Sequence, residues 1–222
     1  MSGPERPTVV LLHGLARTHR SLAGLRRHLE RAGFPTWARS YPSRQRGSAG
    51  AADEIAGWLA RDLSGRGPLV AVTHSLGGVV ARHLAARVPF QQVVMLAPPN
   101  QGSRVSRAYS HLALYRWFFG PAGQELASVE AARDWPPLEV PFAVIAGTRG
   151  RGLANPTGWL SRARGHFTTG EAHDGTLAVD ETELPGITAF ATVDASHTWI
   201  MNNRQARELV VRFLETRSFT SP

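Results

Sequence analysis

Six short apolar runs recur along the chain, at 8–12, 36–41, 69–72, 92–97, 142–146 and 187–193. Several of them, such as Thr-Val-Val-Leu-Leu at 8–12 and the stretch ending in Met95-Leu96-Ala97, show little polar alternation. Such runs predict strands buried on both faces of a parallel sheet. Between them the spacing changes to that of helices. Leu22, Leu25 and Leu29 share a face in 21–33, which Gly33 can terminate; Ile55, Trp58, Leu59 and Leu63 do so in 53–63. Val79, Val80, Leu84 and Val88 mark a third helix over 76–87, and 199–214 reads as the closing helix, with Arg207, Arg212 and Arg217 towards its negative end. The segment 47–50 reads as loop. Strand and helix in alternation imply right-handed crossovers, hence an α/β fold with a mostly parallel sheet of about six strands and helices on both faces.

Two segments break this rhythm. Residues 103–138 hold Tyr109, Leu112, Leu114, Tyr115, Trp117, Phe118 and Phe119 in a mostly helical insertion after a strand's C-terminal end. It reads equally as a cap over a ligand crevice or as core packing. The stretch 148–176, rich in Gly, Arg, Thr and Asn, predicts a long loop. There is no internal repeat.

Length and composition add bounds. A chain of 222 residues suits one sizeable core, so a single domain over 1–222 is expected. The absence of cysteine excludes disulfides and thiolate metal sites. The first residues lack a basic segment followed by a long apolar stretch, which predicts a cytoplasmic protein. The net charge is +8, and all 25 basic residues are arginine. They are scattered through the chain, which reads as compositional bias rather than as a polyanion site. No nucleic-acid partner is expected, while weak contact with an anionic membrane surface is compatible with the charge. The sequence leaves the oligomeric state undefined.

The candidate chemistry lies where the third strand meets its helix, in Thr73-His74-Ser75-Leu76-Gly77. A serine at a sharp strand-to-helix turn throws its hydroxyl clear of the sheet, above amides and the positive end of the helix dipole. The pattern is G-x-S-x-G with threonine at the first glycine position, and Gly77 and Gly78 remain where helix and strand must approach. A serine hydroxyl needs a base and a group that orients the base. His197, in Asp194-Ala195-Ser196-His197-Thr198 just beyond the last strand, is the expected base. His74 adjoins the serine but points away from it, and His13 is expected to brace its own turn. Asp174, in His173-Asp174-Gly175-Thr176, is the expected orienting acid; Asp180 and Glu181 are the fallbacks, and Asp194 comes from the wrong segment. Leu76 and Leu15 are the expected amide donors of an oxyanion hole. Arg17, His74, Tyr115 and Trp117 are the candidate substrate contacts, with a solvated loop as the competing reading for Arg17 and its neighbour Arg20.

The order Ser75, Asp174, His197, with His13-Gly14 upstream, resembles the α/β-hydrolase superfamily over nearly the whole chain. More narrowly it is similar to small bacterial lipases and esterases of the lipase class 2 and inositol-deacylase-like kind. The stretches 96–103 (Leu-Ala-Pro-Pro-Asn-Gln-Gly-Ser), 120–126 (Gly-Pro-Ala-Gly-Gln-Glu-Leu) and 174–182 (Asp-Gly-Thr-Leu-Ala-Val-Asp-Glu-Thr) resemble the same group. The resemblance implies a minimal α/β-hydrolase fold and hydrolysis of carboxylic esters through an acyl-enzyme on Ser75. It also implies a small-molecule ester or lipid substrate and no metal or cofactor. The aromatic insertion suggests short to medium acyl chains. An acyltransferase or thioesterase would use the same three residues. A non-catalytic binding module is the reading from another class.

Overall fold

β1 (Thr8–Leu12) is buried along its whole length. Val10 and Leu12 face one apolar cluster, Val9 and Leu11 another on the opposite side. This is the two-residue period of a strand with both faces covered, which is why the run shows no polar alternation. In the computed structural model, which describes residues 6–150 and 166–220, five further strands join it. They are β2 (Thr36–Ala38), β3 (Leu69–His74), β4 (Phe90–Leu96), β5 (Phe142–Gly147) and β6 (Ala189–Val193). The sheet order is β2-β1-β3-β4-β5-β6, and each of its five pairings is parallel. The chain winds outward from β1 to β2 and then returns to β3 on the other side. The direction of winding therefore reverses between β1 and β3, the kind of switch point at whose C-terminal strand ends α/β proteins place their ligand sites.

The helices are α1 (Ala23–Arg31), α2 (Ser48–Asp62), α3 (Leu76–Ala85), α4 (Arg104–Tyr109), α5 (Ala113–Ala127), α6 (Val129–Asp134) and α7 (Arg204–Thr216). Leu25 and Leu29 of α1 pack with Val210, Phe213 and Leu214 of α7 over Val9, Leu11, Val70 and Val72. On the other face Ile55 and Leu59 of α2 and Val79, Val80 and Leu84 of α3 cover Val10, Leu12 and Ala71. Each such aliphatic side chain, fully removed from water, stabilises the fold by about 1.5–3 kcal/mol. Among the described residues no helix is long and apolar enough to cross a membrane.

The α/β architecture, the six strands and the helical insertion agree with the expectations. The boundaries differ in instructive places. β2 stops at Ala38, short of Tyr41. The Tyr41 amide donates to His13 Nε2 at 3.2 Å and its hydroxyl to the His13 carbonyl, so its polar groups are taken out of the ladder. α2 starts at Ser48, inside the segment expected to be loop, because Glu125 of α5 supplies a cap from a distance: its carboxylate accepts from the Ser48 amide at 2.7 Å and from the Ser48 hydroxyl. The closing helix begins at Arg204, after a 3-10 turn over Ile200–Asn202 and with Asn203 as its N-cap. Arg207 therefore sits in its first turn, not towards its C-terminal end. The insertion divides in two at Gly120 and Pro121, where the helix backbone is broken. Ala122, Leu126, Ala132, Trp135 and Leu138 join the core, while Leu114, Trp117 and Phe118 remain exposed. The core-packing reading thus holds for its second half. The expected loop over 148–176 falls largely on 151–165, outside the described residues.

Candidate active site

Ser75 stands between the end of β3 and the start of α3 with φ 54° and ψ −126°. That region costs an ordinary residue on the order of 1–3 kcal/mol and persists only where the surroundings enforce it. Here the Ser75 amide donates to the Leu96 carbonyl of β4 at 2.9 Å, and its own carbonyl accepts from the Gly78 amide at 2.8 Å. Helix α3 can begin this close to β1 only because Gly77 has no side chain: a Cβ there would lie 2.5 Å from the Leu12 carbonyl oxygen and 2.9 Å from that of His13. Thr73, at the first position of the motif, is fully buried. Gly78 is required by a different neighbour: a Cβ there would lie 2.9 Å from Pro98 Cβ, while the Thr73 hydroxyl would be in ordinary contact at 3.5 Å.

Ser75 Oγ is 2.9 Å from His197 Nε2, and His197 Nδ1 is 2.7 Å from Asp174 Oδ2. All three residues are buried or nearly so. Asp174 sits in an Asp-Gly turn whose amides serve it: Oδ1 accepts from Thr176 N at 2.9 Å and Leu177 N at 2.8 Å. That leaves Oδ2 aimed at the histidine. With a carboxylate at Nδ1, the proton of a neutral imidazole sits on Nδ1, and the Nε2 lone pair faces the serine hydroxyl. The His197 backbone is held as well, its amide donating to the Asp174 carbonyl at 3.0 Å and its carbonyl accepting from His74 Nε2–H at 2.9 Å. A hydroxyl bonded to a neutral imidazole that is oriented by a carboxylate is equipped for nucleophilic chemistry.

The loop after β1 closes against this set. A Cβ on Gly14 would lie 3.1 Å from Ser75 Cβ and 2.9 Å from His74 Nδ1, so loop and serine are in direct contact. Within this loop Ala16 N donates to Ser43 Oγ at 3.1 Å and Arg17 N to the Gly14 carbonyl at 3.3 Å. The amides of Leu15 and Leu76 have no acceptor among the described residues. His13 braces the loop from beneath, as expected: Nδ1–H donates to the Gly14 carbonyl at 2.9 Å and the ring stacks on Tyr41 with centroids 4.1 Å apart. Burial is the main cause that lowers its pKa to about 4. Burial likewise drives the His74 pKa well down, with the nearby His197 and Arg17 adding to the depression.

The other expected contacts are distributed unevenly. His74 is 1% exposed and tilts against His197, with ring centroids 5.1 Å apart. Its ring is enclosed by protein and props the His197 backbone, which sets its place apart from the substrate contact expected of it. Arg17 is partly buried near His13 and His74 and is in no ion pair among the described residues. Tyr115 packs on Phe119 and donates to the Gly123 carbonyl inside the insertion, and Trp117 is 74% exposed. Neither has a hydrogen bond or ring contact with Ser75, His197 or Asp174. Of the fallback acids, Asp180 is bound by Arg104 at 2.6 Å, and buried Glu181 accepts the Arg104 amide at 2.6 Å. Asp194 pairs with Arg149. Sequence reasoning missed Arg104, which ties the segment after β4 to Glu171, Asp180 and Glu181 on both sides of the Asp174 turn. Nothing in its local sequence marks it. Among the described residues, no group of three or more His, Asp or Glu side chains is placed to hold a metal ion.

Residues 9–216 match the profile of the Alpha/beta hydrolase family. Among solved structures the chain is similar to the Bacillus licheniformis lipase BlEst2 in mature form, with a TM-score of 0.71 and 19% identity over 96% of this chain and 94% of that one. It is also similar to the metagenomic carboxyl esterase MGS0156 (TM-score 0.72, 20% identity, 88% of this chain and 65% of that one). A third similar structure is phospholipase PlaB from Legionella pneumophila (TM-score 0.60, 20% identity, 81% of this chain and 45% of that one). No sequence among the curated proteins matches the chain significantly.

Proposed function

We propose that this chain, which belongs to the alpha/beta hydrolase family, is a serine hydrolase that cleaves carboxylic esters. The observation that carries the reading is the unbroken bond path from Ser75 Oγ to His197 at 2.9 Å and from His197 to Asp174 at 2.7 Å, at the mouth of a strand-to-helix turn. His197 Nε2 takes the Ser75 proton as Oγ attacks the ester carbonyl. The tetrahedral oxyanion is held by the Leu15 and Leu76 amides, which have no acceptor among the described residues. His197 then gives the proton to the departing alcohol, leaving an acyl group on Ser75. Water, deprotonated by the same imidazole, attacks the acyl carbonyl, and the proton returns to Oγ as the acid leaves. Asp174 holds the imidazole tautomer throughout. The similar structures include proteins named as a lipase, a carboxyl esterase and a phospholipase, which supports an ester or lipid substrate. We assign short to medium acyl chains to the apolar insertion, and to Arg17 a negatively charged group on the substrate.

The test is initial rates on p-nitrophenyl esters from acetate to palmitate, run beside Ser75→Ala. Turnover should peak at the shorter chains, and the variant should lose at least about a thousand-fold in kcat. Wild-type turnover that survives in Ser75→Ala would remove the serine from the mechanism. Turnover of thioesters with none of esters would keep the three residues and change the leaving group.

A further inference from the structure

Helices α1 and α7 pack side by side on one face of the sheet, and a cleft of about 460 Å³ opens between the start of α1 and the segment leading into α7. Its lining includes Arg20, Arg27, Arg31, Arg207, Trp199 and Asn202, and no carboxylate. None of these four arginines is in an ion pair among the described residues. The nearby acids are engaged elsewhere, Glu30 by Arg26 and Glu208 by Arg204, each at 2.8 Å.

A merely solvated basic face would let its long side chains splay apart into water. Arg207 is instead held in place. Its Nε donates to the Met201 carbonyl at 2.9 Å and its Nη2 to Asn202 Oδ1 at 2.7 Å. The guanidinium lies across α1 at Gly24, where a Cβ would come within 2.3 Å of Nη2 and 2.9 Å of Asn202 Oδ1. Burial weakens its hold on the proton, and the charges of Arg27 and Arg31 weaken it further. Guanidinium groups gathered without a counter-charge repel one another, and only a bound anion reverses the sign of that interaction.

We propose that this cleft binds an organic anion bearing phosphate. Guanidinium forks match phosphate oxygens in pairs, and several converging on one site suit a ligand with more than one charged oxygen. The volume falls within the range of about 300–1,000 Å³ usual for small-molecule sites and exceeds what a bare phosphate needs. Trp199, 50% exposed, borders the cleft on one side. The phosphate can come from a free phosphorylated molecule or from a lipid headgroup. The site does not depend on the ester-hydrolase reading, because Ser75 takes no part in it.

The experiment uses the full chain, inorganic pyrophosphate in titration calorimetry, and flotation with phosphatidylglycerol against phosphatidylcholine vesicles. The paired variants are Arg27→Gln with Arg207→Gln, and Arg61→Gln with Arg66→Gln as a control that removes the same charge elsewhere. Arg27→Gln alone, at an exposed position, guards against misfolding. One-to-one pyrophosphate binding that weakens at least about ten-fold in the cleft variants and less than about two-fold in the control supports the site and a free phosphate as its source. Binding to phosphatidylglycerol vesicles with the same variant pattern, in the absence of pyrophosphate binding, supports the site with lipid phosphate as the source. Two results overturn the proposal: binding of neither probe, or equal weakening in cleft and control variants, which would assign the attraction to the diffuse net charge.

Discussion

Asp174 divides its work between its two oxygens, one taking the turn amides of Thr176 and Leu177 and the other the imidazole of His197. Asp174→Asn separates these tasks. The asparagine oxygen can keep both amide donors, so the turn should hold and the melting temperature change little. Its NH₂ would then face Nδ1 and donate, moving the imidazole proton to Nε2, where it points at Ser75 and cannot accept. We expect kcat on esters to fall by about ten-thousand-fold, whereas Asp180→Asn, whose carboxylate serves Arg104, should leave it unchanged; the reverse pattern would transfer the acid's role to Asp180. The three residues were legible in the sequence because each lies at a local landmark: a strand-to-helix turn, an Asp-Gly turn, the end of a strand. The part played by His74 was not legible, since its partner is a carbonyl 123 residues away. Only the folded sheet brings the two together. Arg104 is hidden for the same reason, its acids lying 67, 76 and 77 residues further on.

At the scale of elements, two helical glycines make opposite predictions. Gly77 in α3 faces the Leu12 and His13 carbonyls, which are backbone and cannot swing aside. Gly77→Ala should push α3 off β1, lowering stability by about 1–3 kcal/mol and displacing Ser75 from the Leu15 loop, so that melting temperature and kcat fall together. Gly57 in α2 is exposed, and a Cβ there would meet nothing within 4 Å. Gly57→Ala should stabilise by about 0.5–1 kcal/mol and leave the rate alone, both read by thermal unfolding and ester turnover. This contrast follows the line between what local pattern can and cannot reveal. The strands were legible because burial on both faces writes itself as an apolar run, and α3 because its buried face follows the helical period. The start of α2 was not, because its cap comes from Glu125 in another helix. The division of the insertion was only half visible: Gly120-Pro121 marks the break, but which half enters the core depends on what lies opposite.

For the molecule as a whole, basic residues that are all arginine have a consequence for pH. Guanidinium stays protonated to above about pH 12, so between pH 7 and 5 the charge of the chain changes almost wholly through its nine histidines. Two of them, His13 and His74, are buried beside the candidate nucleophile and resist protonation in the folded state, His13 down to about 4. In the unfolded chain each takes a proton near 6.5. Between these values the unfolded state binds more protons than the folded one, so stability rises with pH, and the contribution is present above 6.5 and lost as pH falls towards 4. For His13 the whole loss is on the order of 3 kcal/mol, at most about 1.4 kcal/mol per pH unit. Carboxylates whose pKa is held low by partners, such as Glu30 and Glu171, lose their contribution only below about 4.5; Glu181, whose pKa burial raises, acts with the opposite sign, and comparing wild type with a His13 variant cancels it. Urea midpoints measured from about pH 6.5 to about 5 should fall steadily with pH in the wild type. His13→Gln will shift the whole curve by the cost of its lost contacts, but the slope is what tests the claim. It should flatten by the share of one proton, and an unchanged slope would mean that His13 titrates freely in the folded protein and does not brace the Leu15 loop as a neutral ring.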